Sequence, residues 1–216
     1  MSVKNEPSIE AYIGATGSGK GVSLKRRLKA LKGGRLLIWD PRNEYSDFAP
    51  AVDSLRALVQ AFHQRAGPVK ARYVANDHQP LAEQFDFVCR LAFAAGNLVF
   101  LAEELTDVTK PSWAPPAWRK IITQGRHQGL VVLGAAQRPA LIDKSFLGGC
   151  TYIRCFTLRY DDDRRAMAKA LDVSQDRVDA LRTIKDDRGT VIGYLERDFR
   201  HDDEAKPGNI RLKAST

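Results

Sequence analysis

Apolar residues along this chain fall in short runs, separated by stretches where they recur every three or four positions. That alternation predicts strands interleaved with helices, an α/β fold around a mostly parallel central sheet flanked by helices. Ile9–Ile13 reads as a first strand, followed by a glycine-rich turn and a helix from about Lys20 to Leu31 with Leu24, Leu28 and Leu31 on one face. Arg35–Trp39 is a second strand ending at Asp40, and a helix over Ser54–Phe62 leads to a third strand around Ala71–Ala75. Leu81, Phe85, Val88, Leu91 and Ala95 mark the buried face of another helix. Leu98–Ala102 is apolar throughout, as a central parallel strand should be. Lys110–Pro116 carries three prolines and reads as a loop before a helix over Ala117–His127. Leu130–Ala135 and Tyr152–Leu158 are the fifth and sixth strands. Helices over Asp163–Leu171 and Gln175–Leu181 follow, the latter with Ser174 as N-cap, and Thr190–Leu195 is a last strand. Residues 197–216 show little periodicity and read as a flexible tail or partner-binding arm beyond a single domain of residues 1–196.

Composition narrows the class. With 216 residues, 44% of them hydrophobic and 28% charged, the chain can bury a full core. Thirty-four Lys and Arg against 26 acids give a net charge of +8, which favours a polyanionic partner. Cys89, Cys150 and Cys155 include no CxxC pair, so a disulfide framework and a zinc site are both disfavoured and a reducing cytoplasm is expected. The polar start, MSVKNEPSIE, has no apolar signal core, and runs such as Leu130–Leu133 are far too short to span a bilayer. A soluble, cytoplasmic protein with no membrane segment of its own is the expectation.

The sharpest local signal is Gly14, Ala15, Thr16, Gly17, Ser18, Gly19, Lys20, Gly21 and Val22, placed between a predicted strand and a predicted helix. In that context the loop's backbone N–H groups can cradle phosphates, the helix N-terminus adds partial positive charge, and Lys20 reaches the β- and γ-phosphates. Gly21 stands where a Ser or Thr normally ligates Mg²⁺. Ser23 is about 200° further around the helix and should not substitute directly. Magnesium is then left to phosphates, water and nearby acids, or is bound more weakly.

Those acids are Glu103 and Glu104, which end the apolar run from Leu98. In phosphate-loop enzymes the first such acid orients the metal shell and the next polarises the attacking water. A solvated acidic pair at a strand end is the plainer alternative. Further on, Gly125-Arg126 closes a predicted helix, and the following strand ends in Gln137-Arg138-Pro139.

This order of motifs resembles the FtsK–HerA superfamily of P-loop ATPases, whose RecA-like core carries the same Gly-Arg and Gln-Arg-Pro stretches. The resemblance implies that Gln137 senses the γ-phosphate and helps to place water. It also implies that Arg126 is an arginine finger reaching a neighbouring subunit's nucleotide; complementing the helix dipole is its other reading. Asp40-Pro41 through Glu44-Tyr45 is similar to a stretch after the second strand of HerA-like ATPases. Asp40 and Glu44 then line the cleft or a subunit boundary, unless Asp-Pro is simply turn chemistry. A weaker likeness runs from Tyr152 to the Asp-Arg turn at Asp161–Arg165.

Seven Lys and Arg against two acids in residues 1–34, with Lys25, Arg26, Arg27 and Lys29 on the first helix, suggest sequence-independent contact with double-stranded DNA. A basic solvated helix face is the alternative. A bare core of this length looks most like genome-packaging ATPases of tailless, membrane-containing viruses. The resemblance therefore implies ATP and Mg²⁺, a homo-oligomeric ring, a hexamer by analogy, and capsid or packaging-vertex proteins as further partners in the host cytoplasm or at a virion vertex. Rival readings are a filamentous-phage-type assembly ATPase and a nucleotide-switched scaffold with weak hydrolysis. All of them require Lys20, Glu104 and Gln137 to meet at one edge of one sheet.

Overall fold

A computed structural model describes residues 6–31, 34–63, 67–201 and 203–213. Its centre is a run of parallel strands: β1 (Ser8–Ile13), β2 (Arg35–Trp39), β3 (Ala51–Val52), β4 (Val69–Tyr73), β5 (Val99–Ala102), β6 (Val131–Ala136) and β7 (Tyr152–Cys155). Three antiparallel strands complete the sheet: β8 (Thr183–Asp186), β9 (Gly189–Asp198) and β10 (Lys206–Lys213). The spatial order is β10-β9-β7-β1-β6-β5-β2-β4-β3, with β8 beside the first half of β9.

The two faces are covered unequally. Strand residues alternate between faces. Tyr12, Leu36, Ile38, Leu101 and Leu133 meet Leu24 and Leu28 of α1 (Lys20–Ala30) on one side. On the other, Ile13, Leu37, Trp39, Phe100 and Val132 meet α2 (Leu55–Phe62), α3 (Leu81–Ala95), α4 (Pro116–Gln124), α5 (Lys144–Gly149), α6 (Asp161–Leu171) and α7 (Gln175–Asp179). A chain of fully buried rings runs through this second layer, with Trp39–Phe85, Phe85–Trp118 and Trp118–Phe146 centroids 5.3, 5.4 and 5.5 Å apart.

Several elements depart from the sequence reading. The helix expected over Ala117–His127 ends at Gln124, and a 3-10 turn, Gly125–Gln128, completes it. The sixth strand stops at Cys155 rather than Leu158, because Phe156 and Thr157 turn to support the phosphate loop: Phe156 N–H donates to the Ile13 carbonyl (2.7 Å), and Ala15 N–H to that of Thr157 (3.0 Å). Ser174 sits at the N-cap of α7, but its side chain makes no capping bond.

The largest departure is at the C-terminus. The expected tail is in part strand β10, paired with β9 from Lys206↔Glu196 to Lys213↔Gly189; residues 202 and 214–216 lie outside the described residues. Pro207 and Gly208 are poor strand formers. An edge strand tolerates proline, and the Tyr194 ring lies over Gly208, where a Cβ would stand 2.5 Å from it. Ile210 is the buried anchor of β10 and packs with Ile192 and Phe156.

Candidate nucleotide site

Parallel strands β1, β6, β5 and β2 are neighbours and end at the same edge of the sheet, where open α/β folds bind ligands. The segments that leave them are therefore side by side. They are the glycine loop 14–19 after β1, Gln137 after β6, Glu103 and Glu104 after β5, and Asp40–Glu44 after β2. All contribute to one cleft of about 460 Å³, lined by Ala15, Thr16, Gly17, Gly19, Lys20, Gly21 and Val22 of the loop and by Asp40, Glu103, Glu104 and Gln137. Gly14 and Ser18 are buried beneath the loop.

Gly19 enters α1 with φ 101, a left-handed conformation open to glycine at little cost, and a Cβ there would lie 2.6 Å from Ile192 Cγ2. Lys20 is nearly buried between the two acids, its Nζ 4.0 Å from Glu103 Oε2 and 3.7 Å from Glu104 Oε2. Glu103 accepts a short hydrogen bond from the buried Tyr45 hydroxyl and another from the Glu104 N–H at 3.1 Å. Burial pushes the Glu103 carboxyl above its ordinary value, against the opposing pull of Lys20 and the Tyr45 hydroxyl. Glu104 has φ 49, a conformation that non-glycine residues adopt at a cost. Its Oε2 accepts from Gln137 Nε2 at 2.6 Å, and Gln137 Oε1 accepts from the Thr16 hydroxyl at 2.6 Å.

Asp40 is fully buried. It accepts from the N–H groups of Glu44 (2.8 Å) and Tyr45 (3.1 Å) and pairs with Arg72 at 3.0 Å. Turn chemistry and cleft lining thus coincide: Asp40 holds the loop that carries Arg42 and Glu44 along the cleft. Ser23 is buried against the sheet and accepts from Arg154 Nη1 at 2.8 Å, so it does not compensate for Gly21.

Other expected residues lie elsewhere. Arg126 is exposed on the turn before β6, the full length of that strand from Gln137, roughly 20 Å at strand rise. Arg138 clamps Asp163 (2.6 Å) and lies over the Tyr160 ring. The basic residues of α1 divide. Arg27 is engaged by the buried carboxylate of Glu10, Lys25 lies 5.6 Å from the centroid of the Tyr45 ring, and Arg26 and Lys29 are exposed. Lys4 and Lys32 fall outside the described residues.

Lys185, Thr190, Ile192 and Leu212, all from β8–β10, complete the cleft. Thr190 and Ile192 fall in the expected last strand, whereas β8, with Lys185, has no counterpart in the sequence reading and Leu212 falls in the expected tail. The signal was present: Asp186-Asp187-Arg188-Gly189 is a hairpin turn between two runs of strand-forming residues. The Asp186 side chain accepts from the Arg188 N–H at 2.9 Å within it.

No family model matches the chain. It is 30% identical over 177 residues to Protein P9 of Pseudoalteromonas phage PM2, a match covering 80% of this chain and 78% of that protein. Among solved structures, the genome packaging NTPase B204 of Sulfolobus turreted icosahedral virus 2, in complex with ATP-gammaS, superposes with a TM-score of 0.73 at 20% identity over 95% of this chain and 98% of that one. B204 of Sulfolobus turreted icosahedral virus, described as a DNA-packaging ATPase, gives 0.70 at 20% identity over 98% and 100%. The likeness to B204 is one of fold: a mostly parallel sheet of P-loop NTPase type with flanking helices. By its identity and coverage, the chain belongs to the family of Protein P9 of phage PM2.

Proposed function

We propose that this chain is a viral genome-packaging ATPase that hydrolyses ATP in the cleft at the carboxyl edge of its sheet and uses the energy to move double-stranded DNA. The observation that carries the reading is the meeting of Lys20, Glu104 and Gln137 in one cleft with the glycine loop. The family relationship and the B204 fold, both from viral proteins, support it.

In this reading the loop amides and Lys20 bind the phosphates, and Lys20 turns from the carboxylates to them as they enter. Glu104 orients the attacking water and accepts its proton, with Gln137 fixing the carboxylate. The aliphatic side chains of Val22, Ile192 and Leu212 offer an apolar wall to the base or ribose. The donor set also fits Mg²⁺, a hard cation that commonly takes one or two carboxylates and fills its other positions with phosphate oxygens and water. Glu103 would be its protein ligand, and the ion would supply charge neutralisation at the phosphates. Arg126, at the far edge of its own sheet, serves a neighbouring copy in a homo-oligomeric ring, with a hexamer as the working stoichiometry. Capsid or packaging-vertex proteins would dock on that ring. Among the described residues no helix is long and apolar enough to cross a membrane.

Gly21 and the commitment of Ser23 to Arg154 favour a second reading, a nucleotide-switched scaffold with slow turnover. ATPase rate with and without duplex DNA separates the two. A motor hydrolyses faster when duplex is added; a rate unmoved by DNA overturns the translocase reading.

A further inference from the structure

We propose that Thr16 is a positioning residue for hydrolysis: its hydroxyl fixes the Gln137 amide and, through that amide, aims the Glu104 carboxylate. The inference rests on the hydrolysis reading above and gives a phosphate-loop side chain a task apart from phosphate binding.

Three side chains from three segments form one line. Thr16 Oγ1 donates to Gln137 Oε1 at 2.6 Å, and Gln137 Nε2 donates to Glu104 Oε2 at 2.6 Å. An ionised carboxylate only accepts, so the amide must turn its NH₂ towards Glu104. Its carbonyl oxygen then faces Thr16, where only a donor fits. The terminal torsion of a glutamine is broad and selects no orientation by itself. The hydroxyl therefore supplies the second contact that locks the amide. Thr16 is exposed, so it is not held there by packing into the core.

Glu104 needs such a hold. With φ 49 and ψ 57 its backbone lies in a conformation rarely used by non-glycine residues, and the aim of its carboxylate depends on side-chain partners. Two partners contact Oε2: Gln137, and Lys20 Nζ at 3.7 Å. Lys20 is the group that phosphates draw away. Once it turns, Gln137 alone of these two holds the carboxylate, and Thr16 holds Gln137. Because Thr16 belongs to the loop that wraps the phosphates, a shift of the loop moves the amide and the carboxylate together.

The test is a double-mutant cycle on the full chain, reading kcat and KM for ATP hydrolysis and the Kd of a non-hydrolysable ATP analogue. Thr16→Val keeps the shape and removes the hydroxyl; it should lower kcat roughly five- to tenfold, the worth of about one hydrogen bond. KM and analogue Kd should stay within about twofold, as for a residue that acts only on the chemical step. Thr16→Ser should restore kcat. In a Gln137→Ala background, Thr16→Val should do nothing further, the non-additivity expected when one residue works through another. Equal loss of analogue binding and kcat, failure of Ser to restore the rate, or additive losses in the double variant would each overturn the proposal. Absence of turnover by the unaltered chain would remove the hydrolysis reading and this inference with it. Normal turnover with an additive cycle removes this inference alone.

Discussion

The two ends of the sheet are built on different principles. In the parallel part, β2 and β5 are buried at every position and β1 and β6 at all but the first, and these four strands lead directly into the segments that line the cleft. In the antiparallel part, β8 and β10 are mostly exposed and β9 is buried at every third position, yet Ile192 and Leu212 reach the same cleft from the other side. The parallel strands fix reactive groups relative to one another, because a strand buried on both faces has little freedom to shift. The antiparallel strands wall the cleft with Lys185, Thr190, Ile192 and Leu212 and add no carboxylate to it. Chemistry on one side and containment on the other is the division this contrast suggests.

That division can be broken or sharpened by substitution. The largest effect belongs to the parallel side: Lys20→Ala should abolish ATP turnover in a phosphate-release assay, and undiminished turnover would remove the phosphate-loop assignment. Next comes the far edge. If Arg126 acts between copies, Arg126→Ala should cost on the order of 10³-fold or more in rate. Mixing it with Glu104→Gln chains should then restore some activity at interfaces that pair an intact Arg126 with an intact Glu104. Verified mixed assemblies with no recovery would assign Arg126 to the helix end instead.

On the antiparallel side the effects should be smaller and should fall on stability and binding. Ile192→Ala removes a buried anchor of β9 and should cost about 2–5 kcal/mol in denaturant unfolding. Nucleotide affinity should weaken more than kcat; a loss confined to kcat would give the meander a chemical role after all. The basic residues of α1 should separate, and the smallest effect belongs to the exposed one. Arg27→Ala strands the buried Glu10 and should destabilise on the order of 3 kcal/mol. Exposed Lys29→Ala should leave stability within about 0.5 kcal/mol. If Lys29 touches DNA phosphate, that variant should reduce the salt slope of duplex binding by about one.

How far the molecule could be read from its sequence follows the same contrast. Strands buried on both faces announce themselves as unbroken apolar runs, so Arg35–Trp39 was placed to the residue and β1, β5 and β6 to within one. The glycine loop and the two glutamates are local patterns and could be placed at strand ends before any coordinates. Half-exposed strands carry weaker signals: β10 has one buried apolar residue, Ile210, and its Pro207 and Gly208 mimic a linker. The meeting of Lys20, Glu104 and Gln137 followed from the motifs, but long-range partnerships outside them left no mark in the sequence. Nothing near Arg27 or Ser23 in the chain points to Glu10 or Arg154, and the basic helix looked freer than it is. The Thr16–Gln137 bond spans 121 positions and became visible only when β1 and β6 were seen to be neighbours.

The position of β10 at the sheet's border carries one more consequence. Its outer row of backbone donors and acceptors has no ladder partner among the described residues, and such a row is a template on which further chains can zip into fibres. Proline at 207 deletes a donor, and Lys206, Arg211 and Lys213 space like charges along the rim, so identical chains meeting there repel. A proline and spaced charges at the rim act as guards against aggregation.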